Sequence, residues 1–150
     1  MLDPKALVGY CGLYCGACGI YQGAIERRVE QLRSIIKWYG FDKMMPELAK
    51  WEPSLKHYKE FESVLDGLVK LFGSCPGCLG GGGDPNCKVR ECAKHKAYTT
   101  CAECNEALVC EKLKPYLNKE SLERIREIGS AGWAEEMSEK VKSGFSYLEQ

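Results

Sequence analysis

Ten cysteines in two dense groups constrain this 150-residue chain more than any other feature of its sequence. The first group, here called the first burst, contains Cys11, Cys15 and Cys18. The second burst contains Cys75, Cys78, Cys87, Cys92, Cys101, Cys104 and Cys110. Thiols separated by only a few residues can converge on one point, as a tetrahedral metal site or an iron–sulfur cluster requires. The spacing therefore predicts a metal-binding protein.

The compartment decides whether such cysteines pair as disulfides. The N-terminus lacks the basic and then apolar stretch of a secretory signal, and no apolar run of about 18 residues predicts a membrane span. We therefore expect a cytoplasmic protein whose thiols stay reduced. Disulfide frameworks suit small secreted chains that lack a core, whereas 45% of these residues are hydrophobic.

The charges balance, with 21 basic and 21 acidic residues, and no segment is strongly basic. Nucleic-acid binding leaves a basic footprint, so we do not expect a nucleic-acid partner. The length suits one domain. We expect a single domain over residues 1–150, with a cysteine-rich, metal-binding segment at about 75–114.

The hydrophobic pattern predicts a mainly α fold, namely a small helical bundle with a cysteine-rich, irregular metal-binding segment. Apolar residues recur at helical spacing over residues 22–39 and about 54–72, on which residues 75–110 are expected to pack. Weaker signals predict a helix or turn at 44–51, one helical turn at 92–97, a helix at 119–128 with Asn118 as N-cap, and a last helix after Ser130. We expect the three tryptophans Trp38, Trp51 and Trp133 to lie in the core or at its edge.

Two CxxC pairs, Cys75–Cys78 and Cys101–Cys104, are knuckles in which a tight turn lets two thiolates bind one ion. We expect Cys87 and Cys92 to complete one four-thiolate set with Cys75 and Cys78. Two trios then lack a fourth ligand: Cys11, Cys15 and Cys18, and Cys101, Cys104 and Cys110. His95 is the nearest imidazole, although a surface histidine is an equal interpretation. Ten thiols cannot fill three four-ligand sites, so a histidine completes a site, a coordination position stays open, or only two metals bind. We also expect the two bursts to lie close together in the folded protein.

Two enzymatic interpretations of these motifs are weaker. The spacing Cys11-x3-Cys15-x2-Cys18 also occurs in radical enzymes that use S-adenosylmethionine, but those need a large α/β barrel, and no strand–helix alternation is visible here. A redox dithiol at Cys75–Cys78 would follow a strand and open a helix. This pair instead follows a predicted helix and precedes the run Gly80–Gly83, which we interpret as a flexible linker.

The order of these motifs resembles a group of small cysteine-rich bacterial and archaeal proteins known only as a domain of unknown function. The shared features are the opening CGLYCGAC from Cys11, the CxGC knuckle at Cys75–Cys78, the segment Cys87–Ala93, the pair Cys101–Cys104 followed by Cys110-Glu-Lys-Leu, and a tail matching Leu122–Trp133. The spacer between Cys104 and Cys110 is one residue longer than in that group. The resemblance implies a metal-binding protein, with zinc most often assumed, and implies no established activity.

Three functions remain open at this level. The first, which the reduced thiols, the helix-rich flanks and the CxxC knuckles favour, is a structural zinc protein that acts as an adaptor for a protein partner. The second is an iron–sulfur protein for electron transfer or sensing, since zinc and iron–sulfur spacings overlap. The third is an enzyme that depends on a thiolate-bound metal with an exchangeable position, for which the sequence indicates no catalytic residue.

Overall fold

The computed structural model describes residues 3–116 and 119–149 and is mainly α-helical, as the sequence predicts. Its α-helices are α1 (Ala24–Trp38), α2 (Phe41–Leu48), α3 (Tyr58–Phe72), α4 (Lys88–His95) and α5 (Lys119–Lys142). Short 3-10 helices occupy Pro4–Leu7, Cys15–Ala17, Pro53–His57, Cys101–Glu103, Ala107–Val109, Glu111–Tyr116 and Tyr147–Glu149.

The observed helix boundaries follow the predicted ones closely. The second long helix divides into the 3-10 helix Pro53–His57 and α3, while α4 covers eight residues rather than one turn. Gly129 interrupts α5 with φ 75° and ψ 163°, so the two predicted C-terminal helices are confirmed on either side of a break. Asn118, the expected N-cap, lies outside the described residues.

The chain forms two compact units, of which residues 23–74 are one. Within this unit Arg33 of α1 pairs with Glu62 and Asp66 of α3, at 2.8 and 2.7 Å. Trp38 is 85% exposed and Trp51 is 82% exposed, so the prediction that they pack in a core is wrong. Trp38 is the last residue of α1, and Trp51 lies in the turn that follows α2. At both positions the ring projects into solvent rather than onto the contact between α1 and α3.

The other unit comprises residues 1–22 and 75–150 and contains all ten cysteines. Its core is built on α5, whose Leu122, Ile125, Trp133 and Met137 are buried together with Val89 and Ala93 of α4. The indole nitrogen of Trp133 donates a hydrogen bond of 3.1 Å to the carbonyl of Gly12, beside the first burst. Within this unit the cysteine-rich segment packs on α5, which supplies the apolar stripe that covers it.

Among the described residues, no helix is both long enough and apolar enough to cross a membrane.

Candidate metal centres

The cysteines line two cavities within the unit that contains α5, and Val89 belongs to the wall of both. We call the first the six-cysteine cavity; it has a volume of about 250 Å³. Its cysteines are Cys11, Cys15, Cys18, Cys75, Cys78 and Cys87. We call the second the four-cysteine cavity, with a volume of about 360 Å³. Its cysteines are Cys92, Cys101, Cys104 and Cys110.

The expected set of Cys75, Cys78, Cys87 and Cys92 is not what the structure brings together, because Cys92 lies in the other cavity. The reason is helical geometry. Cys87 is the N-cap of α4 and Cys92 lies five residues further along. Since each helical residue turns the chain by about 100°, the two side chains point about 140° apart. Helix α4 therefore separates the two groups of thiols.

The two bursts meet in the six-cysteine cavity, as predicted. The backbone N–H of Cys78 donates a hydrogen bond of 3.3 Å to the Sγ of Cys15. The turn that allows this contact contains Gly77, whose φ of +80° a residue with a side chain rarely adopts. A Cβ on Gly77 would also contact the Cys15 sulfur at 3.8 Å.

The glycine run is built into the wall of this cavity, whereas the sequence suggested a flexible linker. The N–H of Gly82 donates to the carbonyl of Gly77 at 2.8 Å. A Cβ on Gly82 would lie 2.5 Å from the Cys75 sulfur, so this position has no room for a side chain. Only glycine lets the loop close over the knuckle.

Arg90 fixes the same loop and was missed by sequence reasoning. Its side chain is 8% exposed and donates hydrogen bonds of 2.6 Å to the carbonyls of Gly82 and Asp84. In the sequence Arg90 is only an arginine between two cysteines, and the same pattern is typical of an arginine that faces solvent. Burial of its guanidinium depends on the loop folding back, which no local pattern reveals.

Cys87 faces the six-cysteine cavity from the first turn of α4. Its Sγ accepts a hydrogen bond of 3.5 Å from the backbone N–H of Arg90. The phenol of Tyr116 lies beside it, and burial followed by the negative charge of Cys87 raises the pKa of that tyrosine. Free N–H groups at a helix N-terminus favour a negative charge, so this position suits a thiolate.

The four-cysteine cavity is shaped by a capped turn around the second knuckle. The Thr100 hydroxyl accepts a hydrogen bond of 3.0 Å from the N–H of Ala102. The Glu103 carboxylate accepts the backbone N–H groups of Thr99 and Thr100 at 2.8 and 3.2 Å, and also the Thr99 hydroxyl. These hydrogen bonds, the Thr99 hydroxyl first, hold the pKa of Glu103 below its usual range. Cys101 and Cys104 are thereby set at the two ends of one short turn.

Three further contacts hold this knuckle in place. The Arg126 guanidinium on α5 donates to the carbonyls of Ala102 and Cys104 at 2.8 and 2.7 Å. The Cys101 N–H donates to the carbonyl of Tyr10 at 2.7 Å, which joins the knuckle to the first burst. The Lys96 ammonium lies 3.9 Å from the Cys104 sulfur, and the charge of that sulfur is the main reason for the raised pKa of Lys96.

Burial and crowding make three of the thiols, Cys11, Cys15 and Cys101, hard to ionise in the metal-free protein. Burial is the first cause in each case, and the charges of neighbouring sulfurs add to it. The pKa of Cys101 rises to about 12, that of Cys15 to about 11, and that of Cys11 is also raised. A bound cation would reverse this balance, because metal ligation stabilises the thiolate.

The described thiols are not arranged around one metal ion. All ten cysteines are free thiols. Among the described residues, no three or more His, Cys, Asp or Glu side chains converge closely enough to hold one metal ion as placed. The wall of the four-cysteine cavity contains four thiols, the number that either an all-cysteine zinc site or a cubane iron–sulfur cluster takes as ligands.

His95 remains apart from both groups of thiols. It is the exposed last residue of α4, and neither cavity has it in its wall. The sequence made His95 a candidate fourth ligand beside Cys101, Cys104 and Cys110. In the structure the fourth side chain of that group is Cys92. Metal ligation by His95 therefore gains no support from this geometry.

The chain belongs to the family described as protein of unknown function (DUF3795), which matches residues 7–115. This range contains all ten cysteines. No curated protein and no solved structure matches the chain.

Proposed function

We propose that this protein is an iron–sulfur protein that transfers electrons, with its cluster held by Cys92, Cys101, Cys104 and Cys110. The observation that carries the proposal is that these four cysteines, from α4 and from two later turns, line one cavity. Four thiolates are the usual ligand set of a cubane cluster. Zinc, the metal that the sequence favoured, is the alternative outcome of the experiment below.

The surroundings of the cavity support a redox cluster. Lys96, 3.9 Å from the Cys104 sulfur, supplies a positive charge beside an anionic centre. Charge and hydrogen bonding at the sulfurs are among the factors that set the reduction potential of such clusters. Cys104 and Cys110 are half-buried, so the proposed cluster lies close enough to the surface to exchange electrons with a partner protein. A cytoplasmic location belongs to the proposal, since reduced thiols are needed for cluster assembly.

The ligand roles are divided between elements that keep the cavity rigid. Cys92 is fixed by α4, and Cys101 and Cys104 by the capped turn that Arg126 holds on α5. Cys110 ends the 3-10 helix Ala107–Val109, and its carbonyl accepts the N–H of Leu113 at 3.0 Å. When bound, the cluster would supply one-electron chemistry. The chain supplies the four thiolates, the nearby ammonium and the apolar wall formed by Val89, Ala93 and Leu113.

The test is the visible absorption spectrum of protein purified without oxygen. The wild-type protein is expected to be brown, with a broad band in the blue region from sulfur-to-iron charge transfer. Cys92→Ser and Cys104→Ser are expected to lose most of that band. Cys18→Ser is the matched control, because it removes a thiol from the six-cysteine cavity, and it is expected to retain the band.

Two outcomes would overturn the proposal. A colourless wild-type protein that contains zinc without iron would assign the four-cysteine cavity to a structural zinc ion. A band that survives Cys104→Ser but disappears in Cys18→Ser would place the cluster in the other cavity. Circular dichroism of each variant separates a lost ligand from a lost fold.

A further inference from the structure

The six-cysteine cavity takes no part in the function proposed above, although it contains the larger group of thiols. From its geometry we infer that it is a second, separate metal site, which binds two thiophilic divalent ions such as zinc through shared thiolates. The inference does not depend on the iron–sulfur proposal, because the two cavities have no cysteine in common.

The first argument is that cysteines from distant parts of the chain line one cavity. Its volume is about 250 Å³, and its thiols are the knuckle Cys75–Cys78, the CxxC pair Cys15–Cys18 and the single cysteines Cys11 and Cys87. Metal binding would draw these sulfurs together, since no three of the described donor side chains are placed around one ion. The Cys78 N–H donates to the Cys15 sulfur at 3.3 Å, and the Arg90 N–H donates to the Cys87 sulfur at 3.5 Å. Half-buried thiols with backbone donors directed at them are better suited to hold metal than to fill a core as small apolar groups.

The second argument is the number of ligands. A tetrahedral ion accepts four sulfur bonds, so one ion would leave two of the six thiols unused. Two tetrahedral ions need eight bonds. Six thiolates provide eight when two of them bridge both ions and four bind one ion each. The ligand set therefore matches two ions without any water or histidine.

The third argument is charge. Six thiolates carry six negative charges and two divalent ions carry four positive ones, so the filled site has a net charge of minus two. This is no more than the charge of one ion bound by four thiolates with the other two thiols protonated. Arg90, which lines the same cavity, offsets one of the two charges. The uncompensated charge is then small enough for a site beside the apolar groups of Val89 and Leu13.

The loop over the cavity is shaped for the occupied site. Arg90 holds the carbonyls of Gly82 and Asp84 at 2.6 Å, and Gly82 rests against the Cys75 sulfur with no room for a Cβ. The loop thus covers the knuckle tightly and excludes bulk water from one side. A closed, fully ligated arrangement is typical of structural metal sites rather than catalytic ones.

The experiment uses Zn²⁺ alone, added to metal-free full-length protein without oxygen, with bound zinc counted by native mass spectrometry. The wild-type chain is expected to retain three zinc ions, two in the six-cysteine cavity and one in the four-cysteine cavity. The double variant Cys104→Ser/Cys110→Ser is expected to retain two. The double variant Cys18→Ser/Cys75→Ser is expected to retain two, because the four thiols left in the six-cysteine cavity suffice for only one tetrahedral ion there.

The outcomes separate this inference from the iron–sulfur proposal. Retention of one ion or none by Cys104→Ser/Cys110→Ser would overturn the two-ion site and leave the iron–sulfur proposal standing. Unchanged zinc content in Cys18→Ser/Cys75→Ser would also overturn it. A wild-type protein that forms no cluster with iron and sulfide, yet shows two zinc ions in Cys104→Ser/Cys110→Ser, would refute only the iron–sulfur proposal.

A second measurement avoids variants, in case a double substitution prevents folding. Wild-type protein loaded with three equivalents of Zn²⁺, enough to fill both cavities, is treated with iodoacetamide, and the modified cysteines are mapped by mass spectrometry. The six thiols of the six-cysteine cavity are expected to react at least tenfold more slowly than in the metal-free protein, as one group. Protection of four of them, with full reactivity of the other two, would overturn the shared-thiolate arrangement.

Discussion

The backbone N–H of Cys78 lies 3.3 Å from the Sγ of Cys15, a residue 63 positions earlier in the chain. This hydrogen bond joins the two bursts of cysteines. It also explains why Gly77 in the first knuckle has a left-handed conformation. The turn at Gly77 must direct the N–H of Cys78 toward the Sγ of Cys15. The metal chemistry proposed here depends on such contacts between segments rather than on any single motif.

The first prediction concerns the loop over the six-cysteine cavity. Gly82→Ala should destabilise the protein by about 1–3 kcal/mol, because its Cβ would lie 2.5 Å from the Cys75 sulfur and 2.9 Å from the carbonyl oxygen of Gly77. Gly67→Ala is the control: this glycine lies inside α3 with nothing within 4 Å of a new Cβ. That control should gain about 0.5–1 kcal/mol from helix propensity. Urea unfolding measures both, and equal effects would contradict the packed loop.

The second prediction concerns the clamp on the second knuckle. Arg126→Gln removes the guanidinium that donates to the carbonyls of Ala102 and Cys104, so it should weaken metal retention in the four-cysteine cavity. Loss of an outer partner of this kind typically costs about 10–100-fold in metal affinity. Arg124→Gln is the matched control on the same helix, where the guanidinium pairs with Glu127 and Glu136. Competition with a chelator should separate the two variants, and identical release curves would refute the clamp.

The third prediction concerns pH and the metal-free protein. The folded state holds the pKa of Cys101 at about 12, above its ordinary value of 9.0. Between those pH values the unfolded chain loses the thiol proton while the folded chain keeps it, so the free energy of unfolding falls as pH rises. One thiol contributes a slope of at most about 1.4 kcal/mol per pH unit. Cys101→Ala should flatten the fall seen in urea titrations between about pH 9 and 11, whereas an unchanged slope would show that other groups cause it.

The fourth prediction compares two tryptophans. Trp133 is 6% exposed and its indole N–H donates to Gly12, so Trp133→Ala should cost about 3–5 kcal/mol. Trp38 is 85% exposed, and Trp38→Ala should change the free energy of unfolding by less than about 0.5 kcal/mol. Thermal and urea unfolding check both. A large loss at Trp38 would mean that its ring is covered in solution.

The sequence was sufficient for α1, α3 and the two parts of α5, because their apolar residues repeat at helical spacing. It predicted only one turn, at 92–97, where α4 spans Lys88–His95. Residues 22–39 became α1, and the break at Gly129 was visible as a glycine between two apolar stripes. The sequence also predicted that the bursts meet, since each trio of thiols lacks a fourth ligand. These inferences needed only local pattern or simple counting.

The partition of the cysteines was not predictable in the same way. Cys87 and Cys92 are close in sequence, but they lie on different faces of α4, and the helix there was expected to begin only at Cys92. Arg90 and Gly82 could not be identified because their roles depend on a loop returning to the helix. Trp38 and Trp51 both belong to the unit of residues 23–74, and their exposure likewise depends on which helix faces pack together within that unit. Long-range packing decided each of these features.

The most direct test of the central claim is the iron, zinc and acid-labile sulfide content of the wild-type protein purified without oxygen. We expect about four iron atoms and four sulfides per chain, as a cubane cluster requires. In Cys92→Ser, whose lost thiol lines the four-cysteine cavity, iron and sulfide should fall together. Zinc without iron or sulfide in the wild-type protein, with one equivalent lost in Cys92→Ser, would contradict an iron–sulfur cluster in this cavity.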